Sequence, residues 1–160
     1  MATAHINIGS NIGDRRALLE SAVARIKDAF AADVRISDII ETEPWGFESP
    51  NRFLNVGVSV DIGTTPPQAA FRTLKAIQNA ISDTSHRNTD GTYADRAVDI
   101  DLIAIDSCVI SDPPDLILPH PRMHLRPFVL IPFNQLQPDW VHPLLGLTPR
   151  QMLLKTLSEE

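Results

Sequence analysis

The chain has 160 residues, 43% of them apolar and 21% charged, which is typical of a globular protein with its own core. We therefore expect one domain over residues 1–160. The net charge of −6, from 20 acidic and 14 basic side chains, argues against nucleic acid or an anionic membrane as a partner, because few cations can neutralise phosphates.

The first third of the chain predicts three strands, with one helix between the first strand and the second. Residues 3–9 alternate polar and apolar side chains and predict a strand. Asp14 is a suitable N-cap for an amphipathic helix that runs to about Phe30. The β-branched residues of segment 33–42 predict a second strand, and the alternation of residues 53–61 predicts a third.

The rest of the chain begins with a second amphipathic helix near Pro66. Residues 83–95 are polar and without periodicity, and a segment of that length inside a compact domain is usually functional. A fourth strand follows at 97–105, then a short helix at 127–136. Thr148 is placed to cap a final helix.

This order of elements predicts an α+β fold. Strand, helix, strand, strand, helix, strand is the ferredoxin-like βαββαβ pattern, with helices on one face of the sheet and additional C-terminal helices here. The other face is then expected to be open for a ligand. The architecture alone does not assign a function, because many functions use it.

The sharpest chemical feature is the sequence Asp99-Ile100-Asp101 in the fourth strand. Residues two apart on a strand point to one face, roughly 6.6–7 Å apart, and carboxylates so placed can hold divalent cations. Apolar flanks make two uncompensated charges costly there. The alternative is a half-exposed strand whose solvent side carries two acids, and the tripeptide alone favours that alternative.

Cationic side chains near this strand are candidates for phosphate contacts. Arg96 could bind phosphate oxygens through its planar guanidinium, or form a salt bridge with one of the aspartates. His120, between two prolines, could contact a nucleotide or make a structural hydrogen bond. Arg126 stands at the head of the predicted helix 127–136, where backbone N–H groups also attract anions.

Three aromatic residues, Trp45, Phe53 and Phe128, could stack on a flat heteroaromatic ring. Asn55 offers both a donor and an acceptor to the edge of such a ring. The alternative for the aromatic residues is core packing, which suits Phe128 better than Trp45 beside a turn.

Several sequence blocks, taken in order, resemble the hydroxymethyldihydropterin pyrophosphokinase family. They span nearly the whole chain and are Ile8-Gly9-Ser10-Asn11, Glu41-Thr42-x-Pro44-x-Gly46, Phe53-Leu54-Asn55, Arg96-x-x-Asp99-Ile100-Asp101-Leu102, Leu118-Pro119-His120-Pro121-Arg122 and Arg126-x-Phe128-Val129-Leu130. The resemblance implies transfer of pyrophosphate from ATP to the hydroxymethyl group of the dihydropterin, release of AMP, and a role in folate synthesis.

The resemblance also implies roles for individual residues. Asp99 and Asp101 are expected to bind two magnesium ions and, with Arg96, to be catalytic. The expected ATP contacts are His120, Arg126, Gln78 and Arg87, and the expected pterin contacts are Thr42, Trp45, Phe53, Asn55 and Phe128.

Two positions depart from the family pattern at the end of the second helix. Gln78 stands where the family usually has Glu, and Asp83 where it usually has Arg. His86 or Arg87 could supply the missing cation. If neither does, the alternative is a homologue that binds pterin and ATP with weak or no turnover, because losing one contact to a transferring phosphate is costly.

A ferredoxin-like RNA-binding module is the competing class. Such a module needs aromatic side chains on its central strands and a basic face, whereas segment 97–105 has no aromatic residue and carries two aspartates. The lone Cys108 cannot form an internal disulfide and fits a reducing cytoplasm. We expect a cytoplasmic monomer without a membrane partner.

Overall fold

The structure is a computed structural model that describes residues 2–42, 52–84, 97–113 and 116–158. Its elements, in chain order, are β1 (Ala2–Ser10), α1 (Arg15–Phe30), β2 (Val34–Ile36), β3 (Ile40–Thr42), β4 (Phe53–Gly63), α2 (Pro67–Thr84), β5 (Asp99–Ile105), β6 (Ile110–Asp112), β7 (Leu116–Leu118), a 3-10 turn (Met123–Leu125), α3 (Pro127–Leu136) and α4 (Pro149–Ser158).

The main sheet is antiparallel and has the strand order β2-β4-β1-β5, with β3 also paired to β4. The predicted α+β class with its βαββαβ order is therefore confirmed. Helices α1 and α2 cover one face of this sheet. Their apolar stripes meet Ile8, Val58 and Ile100 in a core whose members are at most 6% exposed.

Two helix starts follow directly from local sequence. The Asp14 carboxylate accepts a hydrogen bond from the Ala17 backbone N–H at 3.1 Å, as an N-cap does. At α4, the Thr148 hydroxyl accepts from the Gln151 N–H at 3.2 Å. The Gln151 side chain in turn accepts from the Thr148 N–H at 2.9 Å, which completes a capping box.

The single strand expected over residues 33–42 is wrong, because the structure breaks it into β2 and β3. Ile36 pairs with Val58 and Ile40 pairs with Asn55, so this edge has one more residue than the strand it pairs with. At the break, the Ser37 hydroxyl accepts the Gly57 N–H at 2.8 Å. Such a bulge reverses the side-chain alternation, so Thr42 lies on the face opposite Ile36.

The second face of the sheet is not fully open. Helix α3 packs on one end of it, where His5 and Phe133 have ring centroids 4.8 Å apart. Gly57 permits this close approach, since a Cβ there would lie 2.8 Å from the Pro132 Cβ. A second apolar cluster forms around α3 and includes Ile103 and Leu130. The expectation of a face open for a ligand is thus correct only for the other end of the sheet.

The β6–β7 hairpin and the 3-10 turn did not appear in the sequence prediction. The hairpin lies between β5 and His120, whose backbone N–H donates to the Ile103 carbonyl at 2.7 Å, and the 3-10 turn follows His120. Within the described ranges, no helix has both the length and the apolar character needed to cross a membrane.

Candidate active site

A cavity of about 290 Å³ lies at the end of the second face that α3 leaves open. Eight of the residues predicted from sequence line it, and they come from β3, β4, β5, the segment after β7 and the start of α3: Thr42, Phe53, Asn55, Asp99, Asp101, His120, Arg126 and Phe128. Two further lining residues, Asn7 and Gly9, come from β1.

The two aspartates of β5 lie on the cavity side of the sheet, on either side of Ile100, which is 1% exposed and points into the opposite core. Their cross-strand neighbours on β1 are Gly9 for Asp99 and Asn7 for Asp101. The Ile100 N–H donates to the Gln78 side chain at 2.8 Å, which ties α2 to β5 between the two acids. The alternation read from the sequence therefore gives the observed placement.

The acidic pair fits magnesium delivered with a nucleotide. In the part of the chain that the structure describes, no group of three or more His, Cys, Asp or Glu side chains could hold a metal ion. Two carboxylates beside a cavity leave several ligand positions for water and phosphate oxygens. That is the usual arrangement for magnesium, which keeps waters and binds through one or two carboxylates plus substrate phosphates.

His120 lies beside the acids as a neutral donor. Burial lowers its pKa from the ordinary value, and although Asp101 raises it, Arg126 and Arg122 lower it further. The Nδ1 atom accepts the Arg122 backbone N–H at 3.1 Å. In the neutral ring the proton is therefore on Nε2, which is left to donate to a ligand.

Arg126 occupies the N-cap position of α3 and brings a positive charge to the same cavity. Burial lowers its pKa, while Asp101 and Asp99 raise it. The guanidinium keeps its proton at neutral pH. Its Cζ atom lies 5.7 Å from the centre of the Phe128 ring, a cation–π distance that orients the two side chains together.

The cavity lining also combines aromatic and amide groups. Phe53 and Phe128 both line it, from β4 and α3. Asn55 is 2% exposed, and its Nδ2 donates to the Thr42 hydroxyl at 2.9 Å. Asn7 Nδ2 donates to Asn55 Oδ1 at 3.3 Å, so the amides form a chain that ends at Thr42. Aromatic faces with a polar edge suit a flat, hydrogen-bonding ring.

Gln78 is the one described residue of the predicted set that does not line this cavity. Its side chain is 5% exposed and holds the Ile100 N–H. Trp45, Arg87 and Arg96 lie outside the described residues, and so does His86.

Sequence reasoning missed the two residues of β1. Asn7 gave one available signal, since it shares the polar side of its strand with His5. Gly9 was read as the end of a strand and as part of a family block, but it was given no role in the site. The register that sets it against both Asn55 and Asp99 is a tertiary feature.

Comparisons with known proteins point to one family. Residues 5–138 match the family model described as 7,8-dihydro-6-hydroxymethylpterin-pyrophosphokinase. A Porphyromonas gingivalis protein named 2-amino-4-hydroxy-6-hydroxymethyldihydropteridine pyrophosphokinase is 38% identical over 89% of this chain and 95% of its own length. A Methylorubrum extorquens protein of the same name is 34% identical over 97% of this chain and 94% of its own.

Solved structures agree on the fold. A Plasmodium falciparum HPPK-DHPS crystallised with pteroate superimposes with a TM-score of 0.73 at 15% identity, over 99% of this chain. The present chain spans 43% of that longer one. At this identity the likeness concerns the fold alone.

The curated relatives are named as pyrophosphokinases and match most of both chains, which supports an active enzyme and gives no support to the weak-turnover alternative. The chain belongs to the 7,8-dihydro-6-hydroxymethylpterin-pyrophosphokinase family, whose members transfer pyrophosphate from ATP to the hydroxymethyl group of the dihydropterin, with release of AMP, in folate biosynthesis.

Proposed function

We propose that the cavity at the open end of the sheet binds ATP and hydroxymethyldihydropterin together and is the site of pyrophosphate transfer. One observation carries this proposal: the two acids of β5 line the same cavity as the aromatic and amide groups of β3, β4 and α3. Phosphate-binding chemistry and ring-binding chemistry thus meet within one space of about 290 Å³.

The pterin is assigned to the aromatic half. Phe53 and Phe128 supply faces for offset stacking with the bicyclic ring. Asn55 and Thr42 supply its polar edge, and their mutual hydrogen bond fixes the orientation of the amide before the substrate arrives. Trp45 is predicted to add a third aromatic face. Such preorganisation reduces the ordering that binding requires.

The triphosphate is assigned to the other half. His120 offers a neutral Nε2–H donor, because its Nδ1 is already engaged with the Arg122 N–H. Arg126 offers a charged, planar donor that suits phosphate oxygens. The neutral His120 and the cationic Arg126 can thus both donate hydrogen bonds to the triphosphate, and only Arg126 adds positive charge near the two aspartates.

Arg87 stays a prediction for a further contact with ATP and Arg96 one for a catalytic role. The predicted ATP contact of Gln78 is not supported, because its side chain is 5% exposed, is bonded to the Ile100 N–H and does not line this cavity.

Asp99 and Asp101 are proposed to hold two magnesium ions. When bound, magnesium draws charge from the phosphate oxygens and lowers the pKa of a hydroxyl group that it contacts. The contribution of the chain is to fix the acids on a rigid strand. Ile100, between them, is buried in the core and its N–H is held by Gln78, which fixes the backbone from which both carboxylates project.

The reaction then requires positioning more than covalent chemistry. The hydroxymethyl oxygen attacks the β-phosphorus of ATP, the bond between that phosphorus and the oxygen bridging it to the α-phosphate breaks, and AMP leaves. The proton of the substrate hydroxyl is released to solvent, since AMP and the pterin pyrophosphate together carry one more negative charge than ATP. Two-sided packing of the ring and a fixed phosphate chain bring the reacting atoms into line, which is where most of the acceleration arises in phosphoryl transfer.

We further propose that the chain acts as a single domain and as a monomer in the cytoplasm, without nucleic acid or membrane as a partner. The net charge of −6 supports the exclusion of broad polyanion binding.

The test is product analysis with purified protein, ATP, magnesium and hydroxymethyldihydropterin. The expected products are AMP and the pterin pyrophosphate in equal amounts, with no ADP, and none without the pterin. Formation of ADP instead of AMP would reject pyrophosphate transfer. Equally, tight binding of both substrates with no AMP over many hours would favour the weak-turnover alternative.

A further inference from the structure

We propose that Asn7 is an additional substrate-binding residue whose side-chain oxygen accepts a hydrogen bond from the pterin substrate. This inference rests on the proposed function, since it assigns the occupant of the same cavity. Asn7 lies outside the sequence blocks that indicated the family, and it is identified here from its contacts, its burial and its place in the sheet.

The position of Asn7 follows from the strand registers. On the second face of the sheet, Asn7 is flanked by Gly57 of β4 and Asp101 of β5. Two residues further along β1, Gly9 pairs with Asn55 of β4 on one side and with Asp99 of β5 on the other. Asn7 therefore lies at the junction between the acidic pair and the amide and aromatic groups of the cavity.

Two glycines make room for a contact between Asn7 and Asn55. Neither Gly57 nor Gly9 has a side chain to separate the two amides, and Asn7 Nδ2 reaches Asn55 Oδ1 at 3.3 Å. This bond uses the Nδ2 atom of Asn7 and leaves its Oδ1 atom available to accept another hydrogen bond. Because Asn55 Nδ2 is itself engaged with Thr42, the directions of both amides are linked.

The inference depends on the Oδ1 atom of Asn7. Asn7 is 4% exposed, and no group among the described residues donates to its Oδ1. Buried acceptors are rarely left without a donor, and those that are require an explanation. A ligand that donates from the cavity would satisfy the atom, and Asn7 lines that cavity.

The alternative donor is a single enclosed water. On the other side of Asn7, beneath α3, the free space is only about 10 Å³ and is lined mainly by apolar groups such as Val129 and Phe133. That volume is at the lower limit for one water molecule. By contrast, the cavity holds about 290 Å³, room for a ring-sized ligand.

The substrate offers two kinds of donor to this atom. One is an N–H group of the pterin ring, whose polar edge would then contact both Asn55 and Asn7. The other is the hydroxymethyl O–H, which must approach the acidic pair and hence Asp101. Both make the same hydrogen bond to Asn7 Oδ1, and a substrate analogue without the hydroxyl distinguishes them.

The experiment measures the affinity of Asn7→Ala for 6-hydroxymethylpterin, with magnesium and a non-hydrolysable ATP analogue present. The dissociation constant should rise about five- to tenfold, as expected for one neutral hydrogen bond. The affinity for the ATP analogue should change less than about twofold. If Asn7 served folding alone, its substitution would weaken the binding of both ligands to a similar extent.

Ser59→Ala is the matched control. Ser59 is also a buried polar residue on this face, 4% exposed, and it bonds to His5 at 3.0 Å away from the cavity. Its substitution should lower stability without changing the pterin affinity. If Asn7→Ala fails to fold, Asn7→Ser keeps a polar group too short to reach both partners and should show the same selective loss.

A second arm uses 6-methylpterin, which has no hydroxyl. A penalty of Asn7→Ala that persists with this analogue assigns the contact to a ring N–H, and a penalty that disappears assigns it to the hydroxyl. No penalty with either ligand, in a folded variant, overturns the inference and assigns the Oδ1 atom to water. Failure of the wild-type protein to bind 6-hydroxymethylpterin would instead contradict the proposed function.

Discussion

The two ends of the second sheet face have the same strands but opposite uses. Under α3, residues such as His5 and Gly57 are packed against a helix, and only about 10 Å³ of space is left. Beyond α3, the same strands present Gly9, Asn55 and the acidic pair to a cavity of about 290 Å³.

This difference arises chiefly from where the helix lies. On β1 and β4 the second face carries polar side chains or glycine at both ends, whereas β5 changes from Asp99 and Asp101 at the open end to Ile103 under α3. The end that α3 covers becomes part of the core, and the polar groups there are paired within the protein, as Ser59 is with His5. The end that α3 leaves open keeps polar groups for ligands.

The largest expected effect is at the open end. Asp99→Ala or Asp101→Ala should reduce AMP formation at least about a thousandfold, or about 4 kcal/mol of transition-state stabilisation. Pterin affinity should change little, since the aromatic half is intact. Single-turnover AMP release and a pterin titration measure the two effects separately. Asp112→Ala, an exposed acid on β6, is the control. A rate within tenfold of wild type would exclude the metal-binding role.

The next effect concerns acid stability at the covered end. Burial lowers the pKa of His5 to about 4, with Asp106 raising it and Arg35 lowering it. Between pH 6.5 and about 4 the unfolded chain binds a proton that the folded chain does not, so stability falls as the pH falls. The loss from this residue should approach about 3 kcal/mol.

His5→Gln tests this dependence because it keeps a polar group that does not titrate. Urea unfolding at several pH values should give a shallower fall for the variant than for the wild-type protein. Parallel curves would show that His5 is not responsible for the acid sensitivity.

A smaller effect is expected where α3 touches the sheet. Gly57→Ala places a Cβ 2.8 Å from the Pro132 Cβ, so the helix must shift, at a cost of about 2 kcal/mol. Denaturant unfolding measures the loss. Pro132→Gly removes the nearer atom, so the double variant should lose less than the sum of the two single variants. Strict additivity would contradict this contact.

The smallest effect is expected from the equivalent change at the open end. Gly9→Ala brings a Cβ to 2.9 Å from Asn55 Oδ1 and 3.4 Å from Phe53, which narrows the aromatic half. Pterin affinity should fall about tenfold, or about 1.4 kcal/mol, with ATP affinity unchanged. A titration with each ligand checks this. Equal losses for both ligands would show that the substitution disturbs the whole sheet.

Local features of the site were predictable where they depend on neighbours in the chain. The two-residue period of a strand placed Asp99 and Asp101 on one face, and Asp14 and Thr148 capped their helices as expected. Residue chemistry made His120 and Arg126 candidates for phosphate contacts, the family resemblance assigned them to ATP, and both line the cavity. The alternation of the first strand put Asn7 on its polar side with His5, but it did not place Asn7 beside these residues.

Other features depend on contacts between distant segments. The bulge after Ile36 turns Thr42 toward the cavity, and it forms because Ser37 bonds to Gly57. The position of His120 beside the cavity depends on its backbone N–H, which donates to the Ile103 carbonyl of β5 at 2.7 Å. Periodicity within one segment contains no information about either contact.

The sequence by itself determined the four helices, the strands β1, β4 and β5 with their polar and apolar sides, and the family. These depend on short-range periodicity, capping and residue identity. Only the tertiary structure decided which part of the polar face is a ligand site. That choice depends on where α3 packs, and the packing depends on Gly57 meeting Pro132 across a long stretch of chain.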